Sequence, residues 1–202
     1  MATKMHPTKS LLISTTVKLL ETRLPGEIAV DEILEASGIS KGSLYHHFED
    51  LGELLEAALV EIYAAWVDRS VDALGAMIAK VKTREDIVNG LKIITRFTQD
   101  PKYSNTRFQR ARAIAAAEHN PRFKKRLAEE QTRLTEALID LINEACNKGV
   151  YANDFDAHAG AVLVQAYTLG MIVDDFVDKQ MDPEAWYELI DKVVDKVFLV
   201  QG

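Results

Sequence analysis

The sequence predicts an all-α fold of about nine helices. Apolar residues recur at steps of three and four almost throughout the chain, which is the spacing of one helix face. We find no alternating strand pattern and no hairpin turn of the Asn-Gly type. The 202 residues include only ten Gly and five Pro and are 48 % hydrophobic, a composition typical of a globular helical protein.

The apolar spacing and the capping residues together place the predicted helices. From Leu51 the apolar residues continue for about thirty residues, which predicts one helix roughly 45 Å long. Asp100, Asn120 and Asp182 each precede a Pro, a pair that favours a helix start. Gly149 follows Lys148 and is expected to end a helix. The helices predicted beyond the long one are Arg84 to Thr98, Ser104 to Glu118, Pro121 to Lys148, Ala157 to Lys179 and Pro183 to Val200.

Charge and cysteine content exclude several classes of protein. The net charge of −7 excludes a polycationic nucleic-acid coat, although a local nucleic-acid site remains open. Residues 102–133 nevertheless hold nine basic and three acidic residues. The single Cys146 excludes a disulfide framework and Cys-rich zinc modules. Without an apolar run of 18 residues or a cleavage-like site near the start, we expect neither membrane insertion nor export, and therefore a cytoplasmic protein.

Residues 30–48, VDEILEASGISKGSLYHHF, hold the most specific pattern in the chain. Ile33 and Ala36 give a short helix an apolar side, and Gly38 can take the left-handed conformation that ends it. Ile39 is expected to return to the core, and Ser40 is a good N-cap for a second helix. Two short helices joined by a tight turn containing Gly describe a helix-turn-helix.

The second helix of this motif has a predicted inward side and a predicted outward side. At about 100° per residue, Leu44 and Phe48 fall together on the inward side. Side chains on the outward side of such a helix can reach base edges in a major groove, and those flanking it can reach phosphates. The residues expected to contact DNA are Ser40, Lys41, Gly42, Ser43, Tyr45, His46 and His47.

The stretch 8–60 resembles the DNA-binding head of the TetR (tetracycline repressor) family of bacterial regulators. Ile39 is a conservative match to the family pattern. The matching positions are Val30, Ile33, Gly38, Ser40, Gly42, Leu44, Tyr45, His47, Phe48 and Leu54. The later helices agree with the family in number, length and order.

Several positions depart from the family pattern. Ala29 and Leu51 stand where the family has a Thr and a Lys that commonly contact DNA phosphates, and Leu34 and Ser37 replace two Ala residues. Negative charge also surrounds the motif, so we expect DNA binding that is weaker or more sensitive to salt than in typical members. These acidic residues are Asp31, Glu32, Glu35, Glu49 and Asp50. Lys4, Lys9 and Lys18 would compensate if the N-terminal arm lies along the duplex.

The resemblance implies two domains and a function. Residues 1–50 would form a helix-turn-helix head of three helices, and residues 51–202 a helical body that binds a ligand and dimerises. The implied protein is a ligand-responsive transcriptional regulator, a repressor that binds a pseudo-palindromic operator as a homodimer. A small-molecule effector bound in the body would release it from double-stranded DNA.

The last two predicted helices carry wide apolar stripes that support dimerisation independently. Gly160 and Gly170 would let these helices approach a neighbour closely. Two such helices from each subunit make a four-helix interface, and the alternative is that the stripes pack inside one monomer. The predicted interface residues are Val162, Leu163, Ala166, Leu169, Gly170, Val173, Trp186, Leu189, Ile190, Val193 and Val197.

Large side chains on the middle helices are the candidates for lining a ligand pocket, although plain core packing is the more common role for each. They are Tyr63, Trp66, Phe97, Phe108, Tyr167 and Met171. A basic stretch either attracts an anionic ligand, such as an acyl thioester or an aromatic acid, or forms a solvated helix face. It comprises Arg107, Arg110, Arg112, Arg122, Lys124, Lys125 and Arg126. Asp174, Asp175 and Asp178 resemble a cation site only loosely, so we expect no metal and no cofactor.

Two other function classes differ from a DNA-binding regulator. A helical enzyme is not expected, since we find no Gly-rich phosphate loop, His-Glu-x-x-His motif or nucleophile elbow. The alternative that the sequence keeps open is a module of the same fold that has lost DNA binding and acts through protein partners. The substitutions at Ala29 and Leu51 and the acidic head motivate that alternative.

Overall fold

A computed structural model describes residues 5–80 and 83–200, apart from the side chains of Ile78 and Arg84. Its first part is a head of three helices, and a 3-10 turn at Pro25–Glu27 joins the first two. These helices are α1 (Pro7–Leu20), α2 (Val30–Ser37) and α3 (Lys41–His47).

In the part of the chain that the structure describes, the body is built from seven further α-helices. They are α4 (Leu51–Lys80), α5 (Arg84–Gln99), α6 (Ser104–Ala117), α7 (Pro121–Asn147), α8 (Ala157–Gly170), α9 (Ile172–Asp175) and α10 (Pro183–Val193). The one-turn α9 follows α8 after Met171. Within the described residues, strand-like pairing is limited to one isolated bridge between Tyr151 and Leu199. The predicted all-α class is therefore confirmed.

Two apolar cores share the long helix α4. Leu54, Ala57 and Ala58, from its first turns, are buried with the head, together with residues such as Leu12 and Ile33. Val60, Tyr63 and Val67, further along the same helix, are buried in the body core beside α6 and α7. Leu59 lies between the two groups and packs against both cores. A rotation of α4 would therefore disturb head and body together, because one rigid element supplies side chains to each.

Two helix ends differ from the sequence prediction. The helix expected to run to Lys179 ends at Gly170, and only the turn α9 follows. Both aspartates of α9 make bonds that hold the chain in a turn: Asp175 binds Arg107 on α6, and the Asp174 carboxylate accepts from the Met181 N–H at 3.2 Å. The apolar spacing could not show these bonds, because it reports which face is buried and not where a side chain finds a partner.

The last predicted helix also stops early. Regular α-helix ends at Val193, and Val194–Phe198 forms a wider π-helical turn. Beyond it the backbone pairs with the loop after α7, where the Ala152 N–H donates to the Phe198 carbonyl at 2.8 Å. The Val200 N–H likewise donates to the Val150 carbonyl at 3.0 Å. The Val200 bond replaces the helical bond that this N–H was expected to donate.

Candidate DNA-binding helix and body pocket

The local sequence fixes the short helix α3 at both ends. Gly38 has a φ of 68°, the left-handed conformation that ends α2 and that few other residues adopt without strain. Ser40 caps α3, since its Oγ accepts from the Ser43 N–H at 3.3 Å. Phe48 takes an extended conformation and ends the helix. The turn between the helices thus follows from two residues that the sequence had already singled out.

The two predicted inward residues of α3, Leu44 and Phe48, are both buried in the head core. On α2 the prediction of the inward side is correct for one of its two residues. Ile33 is fully buried, but Ala36 is exposed, and the half-buried Leu34 packs against the core instead. The side of α2 that faces the core therefore includes Leu34 instead of Ala36. Leu34 is one of the positions that depart from the family pattern.

The residues predicted to contact DNA lie at the surface of the head. Lys41, Gly42, Tyr45 and His46 are exposed, and Tyr45 keeps 46 % of its surface accessible. The N-cap Ser40 is also exposed. The remaining two, Ser43 and His47, are half-buried.

His47 belongs to a group of three imidazoles at the end of α3. Its ring lies 4.8 Å from that of His6 and 5.1 Å from that of His46, between centroids. Burial lowers the pKa of His47, and His6, His46 and Lys9 lower it further by charge repulsion. The shift favours the neutral ring, which can both donate and accept a hydrogen bond at a duplex surface.

Two of the acidic residues around the motif, Glu32 and Asp50, have structural partners nearby. Glu32 accepts the Ala29 N–H at 2.8 Å and pairs with Arg23 at 2.6 Å, which lowers the Glu32 pKa. Asp50 accepts the Glu53 N–H at 2.7 Å and so caps α4. Since these carboxylates are engaged in capping, the expected repulsion of phosphates is smaller than a count of charges suggests.

The N-terminal lysines were expected to follow the duplex. Lys18 is exposed on the last turn of α1. Lys9 places its ammonium 5.0 Å from the centre of the Phe48 ring, beside the end of α3. Lys4 lies outside the described residues.

A pocket of about 80 Å³ lies where the head meets the body. The end of α1 and the 3-10 turn contribute Leu20, Arg23 and Pro25 to its wall. The remaining wall comes from α4, including Tyr63 and Trp66, and from α6. Two of the six predicted pocket residues therefore meet at one site.

The other four predicted pocket residues lie elsewhere in the described structure. Phe97 is 55 % exposed on α5 and stacks near Tyr103, with 5.0 Å between ring centroids. Phe108 and Tyr167 are half-buried, and Met171 is buried at the end of α8. Burial raises the pKa of Tyr167, and a hydrogen bond with Thr95 lowers it by less.

Two arginines of the basic stretch are buried, which spacing alone did not indicate. Arg107 is 2 % exposed, and its guanidinium holds Asp175 with two hydrogen bonds of 2.6 Å each. Arg110 is 6 % exposed and lies 3.6 Å from the centre of the Trp66 ring. The solvated-face interpretation therefore fails for these two, although Arg112, Arg122, Lys124 and Lys125 are exposed as expected and Arg126 is half-buried.

A chain of side-chain hydrogen bonds leads from the pocket wall across the body. The Tyr63 hydroxyl donates to Gln131 on α7, whose amide donates to Gln165 on α8. The Gln165 amide in turn donates to the Thr135 hydroxyl at 3.2 Å. A displacement of the Tyr63 hydroxyl would therefore disturb the hydrogen bonds that reach Gln165 on α8.

The predicted dimer residues divide into exposed and buried groups. Ile190 is buried within the chain, and the half-buried Trp186 donates its indole N–H to Gln99. Leu169 and Val193 are half-buried. The exposed members are Val162, Leu163, Ala166, Gly170, Val173, Leu189 and Val197.

Within the described residues, no group of three or more His, Cys, Asp or Glu side chains is placed to hold a metal ion. Nor does any helix in the same ranges have the length and apolar character needed to span a bilayer.

Two family models match the chain over its head and over the second half of its body. The model for bacterial regulatory proteins of the tetR family matches residues 12–58. The model for the C-terminal part of BetI-type transcriptional repressors matches residues 110–199. The chain belongs to the TetR family. It is accordingly a transcriptional regulator with a helix-turn-helix that binds DNA.

Solved structures of bacterial regulators share the whole fold at low sequence identity. A TetR regulator of Chloroflexus aurantiacus is 20 % identical, with a TM-score of 0.68 over 96 % of this chain and 97 % of its own. The fatty acid degradation regulator FadR of Bacillus halodurans is 15 % identical, with a TM-score of 0.66 over 95 % and 96 %. A transcriptional regulator of Saccharomonospora viridis in complex with choline is 14 % identical, with a TM-score of 0.69 over 96 % and 98 %. No curated protein sequence matches the chain.

Within this TetR head, two of the residues that depart from the family pattern have local roles. Ala29 is the N-cap of α2 but has no side-chain oxygen to cap it, and its own backbone N–H donates to the Glu32 carboxylate. Leu51 begins α4 and packs against the head core. A Thr or Lys at these places would offer a phosphate contact that the apolar side chains of Ala29 and Leu51 cannot make.

Proposed function

We propose that the protein is a ligand-responsive repressor that binds a pseudo-palindromic operator as a homodimer. Residues 1–50 would read DNA, and residues 51–202 would bind the effector and dimerise. The observation that carries the proposal is α3 itself, a capped helix that buries Leu44 and Phe48 and leaves Lys41, Tyr45 and His46 exposed. Its action on operator DNA would place it in the cytoplasm.

Exposed apolar residues on α8 and α10 support the dimer. Val162, Leu163 and Leu189 each expose at least 41 % of their surface and belong to the predicted apolar stripes; a stripe of exposed apolar residues, unlike a single one, is typical of an interaction surface. In a homodimer about a twofold axis, each such residue meets the equivalent surface of the second copy. The two α3 helices could then enter successive major grooves about 34–36 Å apart.

An effector can release DNA only if it binds the dimer with one distance between its two heads more tightly than the dimer with another distance. The pocket supports such coupling, because its wall includes residues of the head and of the body. The shared helix α4 connects the two cores on either side of it.

Selection from a random duplex pool, followed by sequencing of the retained DNA, tests the DNA-binding part. An enriched inverted repeat is expected, and Lys41→Ala with Tyr45→Ala should weaken its binding roughly tenfold or more at fixed salt. Lys125→Ala, an exposed charge on α7, is the control and should change little. A protein that enriches no sequence at low salt would instead be the module that has lost DNA binding.

Sedimentation of interface variants tests the dimer. Leu189→Glu should give a monomer and lose most operator affinity, because a charge would then lie within the apolar interface. Ile93→Glu places the same charge at a similarly exposed position on α5 and should remain dimeric. A dimeric Leu189→Glu variant would remove α10 from the interface.

A further inference from the structure

The pocket between head and body contains a buried cation whose charge is not balanced nearby. The Arg110 side chain is 94 % buried by its neighbours, since only 6 % of the residue is exposed. Its Nε–H has no hydrogen-bond partner among the described residues. Burial lowers the pKa of Arg110, and the Tyr63 hydroxyl only partly offsets that effect. A guanidinium in this position is costly to the folded protein unless an anion joins it.

The carboxylate that pairs with the neighbouring arginine is already occupied. Asp175 binds the neighbouring Arg107 through both carboxylate oxygens, at 2.6 Å each. Arg107 also lowers the pKa of Arg110 by charge repulsion. Arg110 is left with the Tyr63 hydroxyl and the face of the Trp66 ring, neither of which carries a negative charge.

The rest of the wall has the same electrostatic sign. Arg23, Arg69 and Arg112 also line the pocket, whereas the described part of the lining includes no Asp or Glu. A pocket wall with this excess of positive charge contrasts with the net charge of −7 of the whole chain. Arg69 and Arg112 are exposed, so they can attract an anion from solvent toward the buried group.

Apart from the polar Thr106 and Gln109, most of the remaining wall is apolar, and the space is small. Leu59, Ile62 and Ala113 supply aliphatic surface beside Trp66. The volume of about 80 Å³ is about half that of an apolar cavity that holds benzene, roughly 150 Å³. The enclosed part therefore fits a planar anionic group and a few carbons, and the remainder of a longer ligand would extend through the open side.

We infer that this pocket binds a monocarboxylate with an apolar chain or ring, and that Arg110 holds the carboxylate. One buried guanidinium calls for one negative charge, and its planar fork matches a carboxylate in a bidentate pair. The apolar wall suits the hydrocarbon part. This inference names the effector class of the proposed function and rests on it for the link to DNA release.

The position of the pocket gives the ligand a way to act on the head. Leu20, Arg23 and Pro25 belong to the head, and Arg110 and Ala113 belong to α6 of the body. A ligand that contacts both surfaces stabilises one arrangement of head and body over the other. Its differential affinity for the two arrangements sets the change in DNA affinity.

Calorimetric titration of the full-length protein, in the absence of DNA, tests the inference. The probes are butyrate, hexanoate and benzoate, each paired with its neutral amide, up to about 10 mM. We expect at least one carboxylate to bind at least tenfold more tightly than its amide. Arg110→Met should remove that binding, and Arg110→Lys should retain part of it. Arg112→Met, at an exposed position of the same wall, should weaken it only a few-fold, and Lys125→Met should leave it unchanged.

The melting temperature of Arg110→Met shows whether a loss of carboxylate binding comes from a loss of folding. Arg110→Met should fold with an unchanged or higher melting temperature, since it removes an unbalanced buried charge. The inference is overturned if no carboxylate binds the wild type, if the amides bind equally well, or if Arg110→Met binds as before. Carboxylate binding without operator binding would refute the proposed function and keep this pocket, and the reverse result would refute the pocket alone.

Discussion

The ion pair between Arg107 and Asp175 gives the sharpest test of what holds the body together. The two side chains are 2 % and 3 % exposed, and two bonds of 2.6 Å join them. Arg107 also donates to the carbonyls of Thr98 and Asp100 at 3.4 Å and 3.3 Å. One guanidinium thus connects α6, α9 and the end of α5.

Asp175→Asn keeps the shape of this side chain and removes its charge. An uncompensated buried guanidinium remains, which costs about 3–5 kcal/mol of unfolding free energy. For a chain of about 200 residues each kcal/mol corresponds to about 2–4 °C. The melting temperature should therefore fall by about 10 °C, measured by far-UV circular dichroism at one fixed protein concentration.

Two controls make the reasoning refutable. Asp178→Asn removes a carboxylate that is exposed and should change the free energy of unfolding by less than about 0.5 kcal/mol. Arg107→Met combined with Asp175→Leu replaces the pair by apolar groups and should restore most of the lost stability. If Asp175→Asn melts like the wild type, or the double variant is less stable than either single one, the pair does not act as described.

Urea denaturation should separate four further substitutions. Gly38→Ala should lower the free energy of unfolding by about 1–2 kcal/mol, because a φ of 68° is unfavourable for a residue with a Cβ. Gly75→Ala, in open space within α4, should raise it by nearly 1 kcal/mol through its higher helix propensity. Gly160→Ala should destabilise by about 1–3 kcal/mol, since its Cβ would come within 3.0 Å of the Phe155 ring, and equal stability would show that the ring moves freely. Trp186→Phe should cost about 1–3 kcal/mol by removing the indole N–H that donates to a buried amide.

Local chemistry made the head predictable from the sequence. Gly38 and Ser40 define the turn and the cap through bonds within a few residues, and Leu44 and Phe48 follow from helical periodicity. Ala36 was misplaced because a small apolar residue has little preference between the core and the surface. Its larger neighbour Leu34 gains more from burial and decides which way α2 turns.

The body was less predictable because its polar partners are distant in sequence. Arg107 finds Asp175 68 residues away, and Tyr63 finds Gln131 at the same separation. Helical spacing locates such residues on a face but does not say which opposite face supplies a partner. For the same reason Arg110 was grouped with solvent-exposed charges, although α4 covers it with the Trp66 ring.

The body also contacts the loop that directly follows α3. Arg122, at the start of α7, lies 3.3 Å from Glu49 in that loop and 3.2 Å from Glu56 on α4. The pair with Glu49 is solvent-accessible, so added salt weakens it. Ionic strength therefore acts on this protein twice, once by displacing the head from phosphates and once by loosening its attachment to the body. A plot of log affinity against log salt should be curved, and Arg122→Gln should straighten it toward the simple counterion line.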